Sequence, residues 1–146
     1  MEIGPIIIDT NSYAAFKDGK PEAVEIIKRV PSIGINPVIM GELLSGFALG
    51  NREEKNKEEL ELFLSSKKVK FFDIDRKTSE YYSAIYKDLR KKGKPIPTND
   101  LWIAATAQQY GLSVFSYDTH FEYVANLRTI SKPEDLCHSK EISDHA

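Results

Sequence analysis

A chain of 146 residues that is 41% apolar has the size of one domain and material for a sizeable core, so it need not be disordered. Its single cysteine, Cys137, excludes an internal disulfide framework and a cysteine zinc site, and no apolar run is long enough to cross a membrane. The formal net charge of -2 means that any nucleic-acid binding has to use local positive charge, while the acidic surface suits a basic partner.

Ile6-Ile7-Ile8 is a continuous β-branched run, the pattern of a strand buried on both faces in a parallel sheet. It runs straight into Asp9 with no basic start and no cleavage site before it, so no signal peptide is expected and the cytoplasm is the expected compartment. Apolar residues at 23, 24, 27 and 30 predict a helix over Pro21 to Val30. Ile33 to Ile35 reads as a brief strand. Asn36-Pro37 then reads as an N-cap and a first-turn proline for a helix that runs to Gly46–Gly50. Asn51 is expected to cap the next helix, with Leu60, Phe63 and Leu64 on its buried face.

Val69 to Ile74 reads as a strand. Asp75 is the expected cap of a helix in which Tyr82, Ile85, Tyr86 and Leu89 follow i, i+3, i+4, i+7 spacing, and Gly93 ends it. Pro95-Ile96-Pro97 is an extended connector. Thr98 is expected to cap a helix from Asn99 to Tyr110, which Gly111 stops. Ser113 to Ser116 and Leu127 to Ile130 read as further strands. Alternating strands and helices predict a single three-layer α/β domain over 1–132, with a mostly parallel sheet flanked by helices. The polar tail from 133 to 146 is expected to fray.

Four carboxylates stand in awkward places. Asp9 follows a buried strand, where open parallel sheets bind ligands, although a turn or a short helix from Ser12 would also explain it. Glu42 interrupts Val38-Ile39-Met40-Gly41-Glu42-Leu43-Leu44, where an unpaired charge is expensive to bury; an exposed helix stripe is the plainer explanation. Asp100 lies in the first turn of a helix, a place the dipole favours for any carboxylate. Asp118 lies just past the strand that ends at Ser116, where it could equally cap the next segment. Two aspartates at strand ends and two carboxylates near helix starts all fit one sheet edge. Such a cluster repels itself unless a cation neutralises it. With oxygen ligands and no His or Cys set, the suitable ion is Mg²⁺ or Mn²⁺, which can activate water and stabilise charge on a phosphodiester.

The chain resembles PIN-domain ribonucleases, and within them the VapC-type toxins of toxin–antitoxin pairs. The resemblance rests on Ile7-Ile8-Asp9-Thr10-Asn11, on Gly41-Glu42-Leu43 with Gly46, on Gly93-Lys94-Pro95-Ile96-Pro97 leading to Asn99-Asp100-Leu101-Trp102, and on Val114-Phe115-Ser116-Tyr117-Asp118-Thr119-His120-Phe121. It covers Ile6 to about Ile130. It implies a metal-dependent endoribonuclease that cleaves RNA phosphodiesters with Mg²⁺ or Mn²⁺, a cognate antitoxin and a homodimer. By the same resemblance Asp9 and Asp100 are the main metal ligands, Glu42 orients water or a second ion, and Asp118 completes the set. Thr10, Asn11 and Ser116 support it by hydrogen bonds, and Asn99 has no assigned role.

Arg90, Lys91, Lys92 and Lys94 are the candidate RNA-binding cations, against the plainer view that they complement a helix C-terminus. Tyr81, Tyr82 and Tyr86 fit packing better than base stacking, and His120 fits a structural turn better than a general base. Haloacid-dehalogenase-type phosphatases also begin with an apolar strand ending in Asp, but they want a second Asp where Asn11 stands. The remaining alternatives are a housekeeping PIN nuclease of RNA maturation and a non-catalytic RNA- or protein-binding domain of the same fold.

Overall fold

The computed structural model describes residues 4–137. Five parallel strands, β1 (Ile6–Ile8), β2 (Ile33–Ile35), β3 (Val69–Phe71), β4 (Ser113–Phe115) and β5 (Thr129–Ile130), form one sheet in the order β3-β2-β1-β4-β5. The central strand is β1. Ile6, Ile7 and Ile8 pair in register with Ser113, Val114 and Phe115 on one side, and Ile6 and Ile7 with Ile33 and Gly34 on the other. All three β1 side chains are buried, as a continuous β-branched run in a covered parallel sheet requires. The strand order reverses at β1, so the crevice between the carboxyl ends of β1 and β4 is the switch point at which such sheets take ligands.

Six helices flank the sheet: α1 (Thr10–Lys17), α2 (Pro21–Arg29), α3 (Pro37–Leu49), α4 (Glu53–Ser65), α5 (Arg76–Lys92) and α6 (Thr98–Tyr110). Asp9 itself caps α1, so the plainer view of that residue is correct as far as it goes, and the helix begins at Thr10 instead of Ser12. Asp75 forms a reciprocal capping box with Thr78, each side chain receiving the other's backbone N–H at 3.0 Å. Gly93 and Gly111 end α5 and α6 in the left-handed conformation that lacks a steric penalty only for glycine.

Two expected caps are corrected. The N-cap of α4 is Arg52, not Asn51, and that of α6 is Pro97, with Thr98 as the first helical residue; neither cap makes a side-chain hydrogen bond. Proline at 97 fixes φ near its helical value and starts α6 without a polar cap. The strand expected over Val69 to Ile74 stops at Phe71: Phe72 N–H still bonds to Ile35 O of β2, and by Asp75 the chain already belongs to the α5 cap. The chain also stays packed past 132. Pro133–Cys137 forms a 3-10 turn against α2 and β5 with Leu136 only 1% exposed, and 138–146 lie outside the described residues.

Asn36 fixes how α3 meets α6. Its Oδ1 accepts Ile39 N–H at 3.0 Å, and its Nδ2 donates to Thr106 Oγ1 at 3.0 Å; both side chains are fully buried. Thr106 Oγ1 passes its own hydrogen to Trp102 O at 2.9 Å. One amide therefore caps the helix that carries Glu42 and ties it to the helix that carries Asp100. Replacing it strands a buried N–H and removes the tie, a loss of about 2–4 kcal/mol. Asn36→Ala is expected to lower the melting temperature by roughly 5–15 °C in a thermal unfolding scan. A change under about 1 °C on that scale would mean that the helix pair is held elsewhere.

Candidate active site

Every candidate carboxylate comes from a different element. Asp9 ends β1, Asp118 follows β4, Glu42 lies in the second turn of α3, and Asp100 lies in the first turn of α6. All four line one cleft of about 500 Å³, together with Thr10, Asn11, Pro97, Thr98, Asn99 and Ile103. Among the described residues the lining contains no lysine or arginine.

Asp9 is the most enclosed of the four, at 7% exposure. Its Oδ1 accepts Ser12 N–H at 3.0 Å and its Oδ2 accepts the Ser116 hydroxyl at 2.5 Å. Burial pushes its carboxyl above the ordinary range; the bonds from Ser116 and Ser12 oppose this, and the nearby Asp118 charge adds to it. Ser116 Oγ in turn accepts Asp118 N–H at 2.9 Å, so one hydroxyl sets both aspartates. Asp118 caps the 3-10 turn Thr119–Tyr123 by accepting His120 N–H at 2.9 Å.

Asp100 is half-buried. Burial raises its carboxyl, a hydrogen bond with His120 pulls it back, and the charges of Asp118 and Asp9 raise it further. Each of Asp9 and Asp100 thus feels Asp118, which places the three in one field. Glu42 is held separately. Its Oε1 accepts the Thr10 hydroxyl at 2.9 Å and its Oε2 accepts Asn99 Nδ2 at 3.1 Å. A glutamate fixed at both oxygens inside a cleft is no longer an exposed helix stripe.

Thr10, Asn11 and Ser116 all meet the acidic set: Thr10 on Glu42, Ser116 on Asp9 and Asp118, and Asn11 in the lining. Two contacts escaped the sequence. Asn99 holds Glu42 across 57 residues of chain, a pairing that no local pattern reveals. His120 Nδ1 lies 3.1 Å from Asp100 Oδ2 and 3.0 Å from Asp118 Oδ1, although only its place two residues after Asp118 hinted at more than a structural turn. The basic run does not reach the cleft lining. Lys92 pairs with Asp88 at 2.8 Å and donates to Tyr123 O, Lys94 lies over the Tyr123 ring, and Arg90 lies over Tyr86. Tyr82 packs against Tyr86 and Trp102, with ring centroids 6.5 and 4.2 Å away.

A family profile described as the PIN domain matches residues 6–127. The chain is 31% identical over 105 residues to Ribonuclease VapC2 of Rickettsia felis, covering 69% of this chain and 77% of that protein. It is 30% identical over 128 residues to Ribonuclease VapC2 of Haemophilus influenzae, covering 84% and 94%. Among solved structures, VapBC2 from Rickettsia felis bound to a fragment of promoter DNA shares the fold with a TM-score of 0.75 at 24% identity, over 86% of this chain and 97% of that one. DNA-bound VapBC from Salmonella typhimurium aligns with a TM-score of 0.73 at 25% identity, over 89% and 98%.

Proposed function

This chain belongs to the PIN-domain family, among its VapC-type ribonucleases, and we propose that it is a divalent-cation-dependent endoribonuclease acting as the toxin of a toxin–antitoxin pair. The observation that carries the catalytic reading is the convergence of Asp9, Asp100 and Asp118 at the sheet's switch point, two of them with carboxyls raised by burial in a cleft that no lysine or arginine lines among the described residues. Uncompensated, that arrangement is unfavourable; an oxygen-binding cation resolves it, so the donor set fits Mg²⁺ or Mn²⁺. Asp100 and Asp118, whose carboxylate oxygens lie within 4.8 Å of one another, would hold the ion, with Asp9 beside them in the same field. Once bound, it supplies Lewis acidity at the phosphate and makes a water easier to deprotonate.

The chain's own groups do the rest. Glu42, steadied by Thr10 and Asn99, has lone pairs left to accept a proton from the attacking water. The water oxygen forms the new bond to phosphorus, the bond to the leaving nucleoside oxygen breaks, and that oxygen takes up a proton from solvent water at the open cleft. Ser116 keeps Asp9 and Asp118 in register, so the ligands are placed before substrate arrives. The test is cleavage of RNA by the purified chain with Mg²⁺ or Mn²⁺ and its arrest by EDTA. Cleavage that persists in EDTA would remove the cation from the reaction.

A similar structure, VapBC-5 from Mycobacterium tuberculosis, is described as a member of the VapBC family of toxin-antitoxin systems, and we extend that partnership, and a homodimer, to this chain. Arg90, Lys91, Lys92 and Lys94 are proposed to hold RNA phosphates outside the cleft. Neutralising all four is expected to flatten the plot of log affinity for RNA against log salt, by about 0.7 for each phosphate of a single strand that the chain no longer neutralises. An unchanged slope would confine the run to capping α5.

A further inference from the structure

His120 meets two carboxylates through one nitrogen. Nδ1 lies 3.1 Å from Asp100 Oδ2 and 3.0 Å from Asp118 Oδ1. That atom carries at most one hydrogen, which can point well at one of the two oxygens only. Hydrogen bonding therefore leaves one contact unserved. Asp118 Oδ1 is also already engaged by the backbone N–H of His120 at 2.9 Å. The three donor atoms lie within 4.8 Å of one another and come from α6 and from the turn after β4.

We propose that His120 is a direct ligand of the divalent cation through Nδ1, and that this nitrogen makes the site prefer Mn²⁺ to Mg²⁺. The inference rests on the cation-dependent function proposed for the cleft. Ligands about 2.0–2.1 Å from an octahedral ion stand roughly 3 Å apart when they are neighbours. The two separations at Nδ1 match that spacing, so one ion serves both contacts that one hydrogen cannot. Mg²⁺ is a hard ion that takes oxygen ligands and gives up water reluctantly. Of the two ions that suit a site otherwise built of carboxylates, Mg²⁺ and Mn²⁺, only Mn²⁺ is a first-row transition ion and gains from a nitrogen ligand. Zn²⁺ prefers compact four-ligand sets richer in nitrogen or sulfur, which this cleft does not offer among the described residues.

The experiment is pulsed electron paramagnetic resonance on the full chain loaded with Mn²⁺, with Mn²⁺ and Mg²⁺ affinities measured by calorimetry. The wild type is expected to show nitrogen hyperfine coupling to Mn²⁺, and His120→Asn to lose it. The ratio of Mn²⁺ to Mg²⁺ affinity is expected to fall at least about 10-fold in His120→Asn. The other two histidines, His138 and His145, lie outside the described residues, so a chain carrying His138→Asn and His145→Asn is the second arm. Coupling retained there assigns the nitrogen to His120 even if His120→Asn folds poorly. Bound Mn²⁺ without nitrogen coupling, or coupling lost only in the second arm, overturns the inference and leaves the cation-dependent function standing; histidine then only orients Asp100. A wild type that takes up no Mn²⁺ overturns both.

Discussion

Asp9→Asn and Asp100→Asn are each expected to lower the rate of RNA cleavage about 1,000-fold or more, while the metal-free protein keeps its fold. The loss corresponds to roughly 4 kcal/mol of transition-state stabilisation, within the several kcal/mol that a catalytic cation supplies. The structural argument for retained folding is specific. Asparagine has the shape of aspartate and can still cap α1 by accepting Ser12 N–H. Its amide would face Ser116, whose hydroxyl turns to accept where it now donates. At both positions a charge that burial disfavours is removed. The metal-free melting temperature should therefore stay level or rise in both variants, the usual exchange of stability against function at an active site. Wild-type cleavage by both variants would sink the site assignment; collapse of either fold would show that the charge is structural.

The same electrostatics predict a large effect of the ion on stability. A cation that binds only the folded state at about 100 times its dissociation constant adds about 2.7 kcal/mol. For a domain of this size that is roughly 5–15 °C of melting temperature at neutral pH. The shift should vanish in a chain carrying Asp9→Asn and Asp100→Asn together, and an equal shift there would mean binding elsewhere. The pH dependence has a definite sign. In the metal-free chain Asp9 and Asp100 sit above their unfolded values, so the folded state binds protons first as pH falls. Their burial penalty is fully present above their folded values. It is relieved as pH drops through those values toward the unfolded value near about 4. Metal-free stability should gain over that window, while the stabilisation by the cation shrinks because protons compete for the same oxygens. Asp75 works in the opposite sense: Thr78 and Gln109 hold its carboxyl below the ordinary range, so its contribution is lost only in stronger acid. Melting curves from about pH 4.5 to 8, with and without Mn²⁺, measure both trends.

What the sequence disclosed depends on the range of the interactions involved. The buried run Ile6-Ile7-Ile8, the Asn36-Pro37 start of α3 and the glycine stops at Gly93 and Gly111 are local signals, and each takes the structure its local pattern predicts. Helix α1 was legible only as an alternative for Asp9, because Thr10–Lys17 is short and mixes polar and small residues without a clear apolar face. Asn51 and Thr98 look like caps by residue type, yet the chain turns into α4 at Arg52 and into α6 at Pro97. Of the site, the four carboxylates were readable from their joint placement at strand ends and helix starts and from the resemblance, since Glu42 alone interrupts a local apolar pattern. Thr10 came with the resemblance, but two helpers were not readable: Asn99 reaches Glu42 across 57 residues, and His120 reaches Asp100 across 20. The basic run is close to Asp100 in sequence, but the turn through Pro95 to Pro97 leaves it outside the lining of the acidic cleft.

Two of the acids hold helix starts as well as the cleft: Asp9 begins α1, and Asp118 begins the 3-10 turn. Asparagine is as good as aspartate at such starts. If these acids act as proposed, a single-nucleotide change from an aspartate codon to an asparagine codon disarms the chain without disturbing its shape. A lineage that suffers from this nuclease has a short mutational road to a harmless chain of the same fold, one that still presents the surface a neutralising partner would grip. Inert descendants should then persist beside active ones, sequestering that partner and raising the dose of it needed to keep active copies silent.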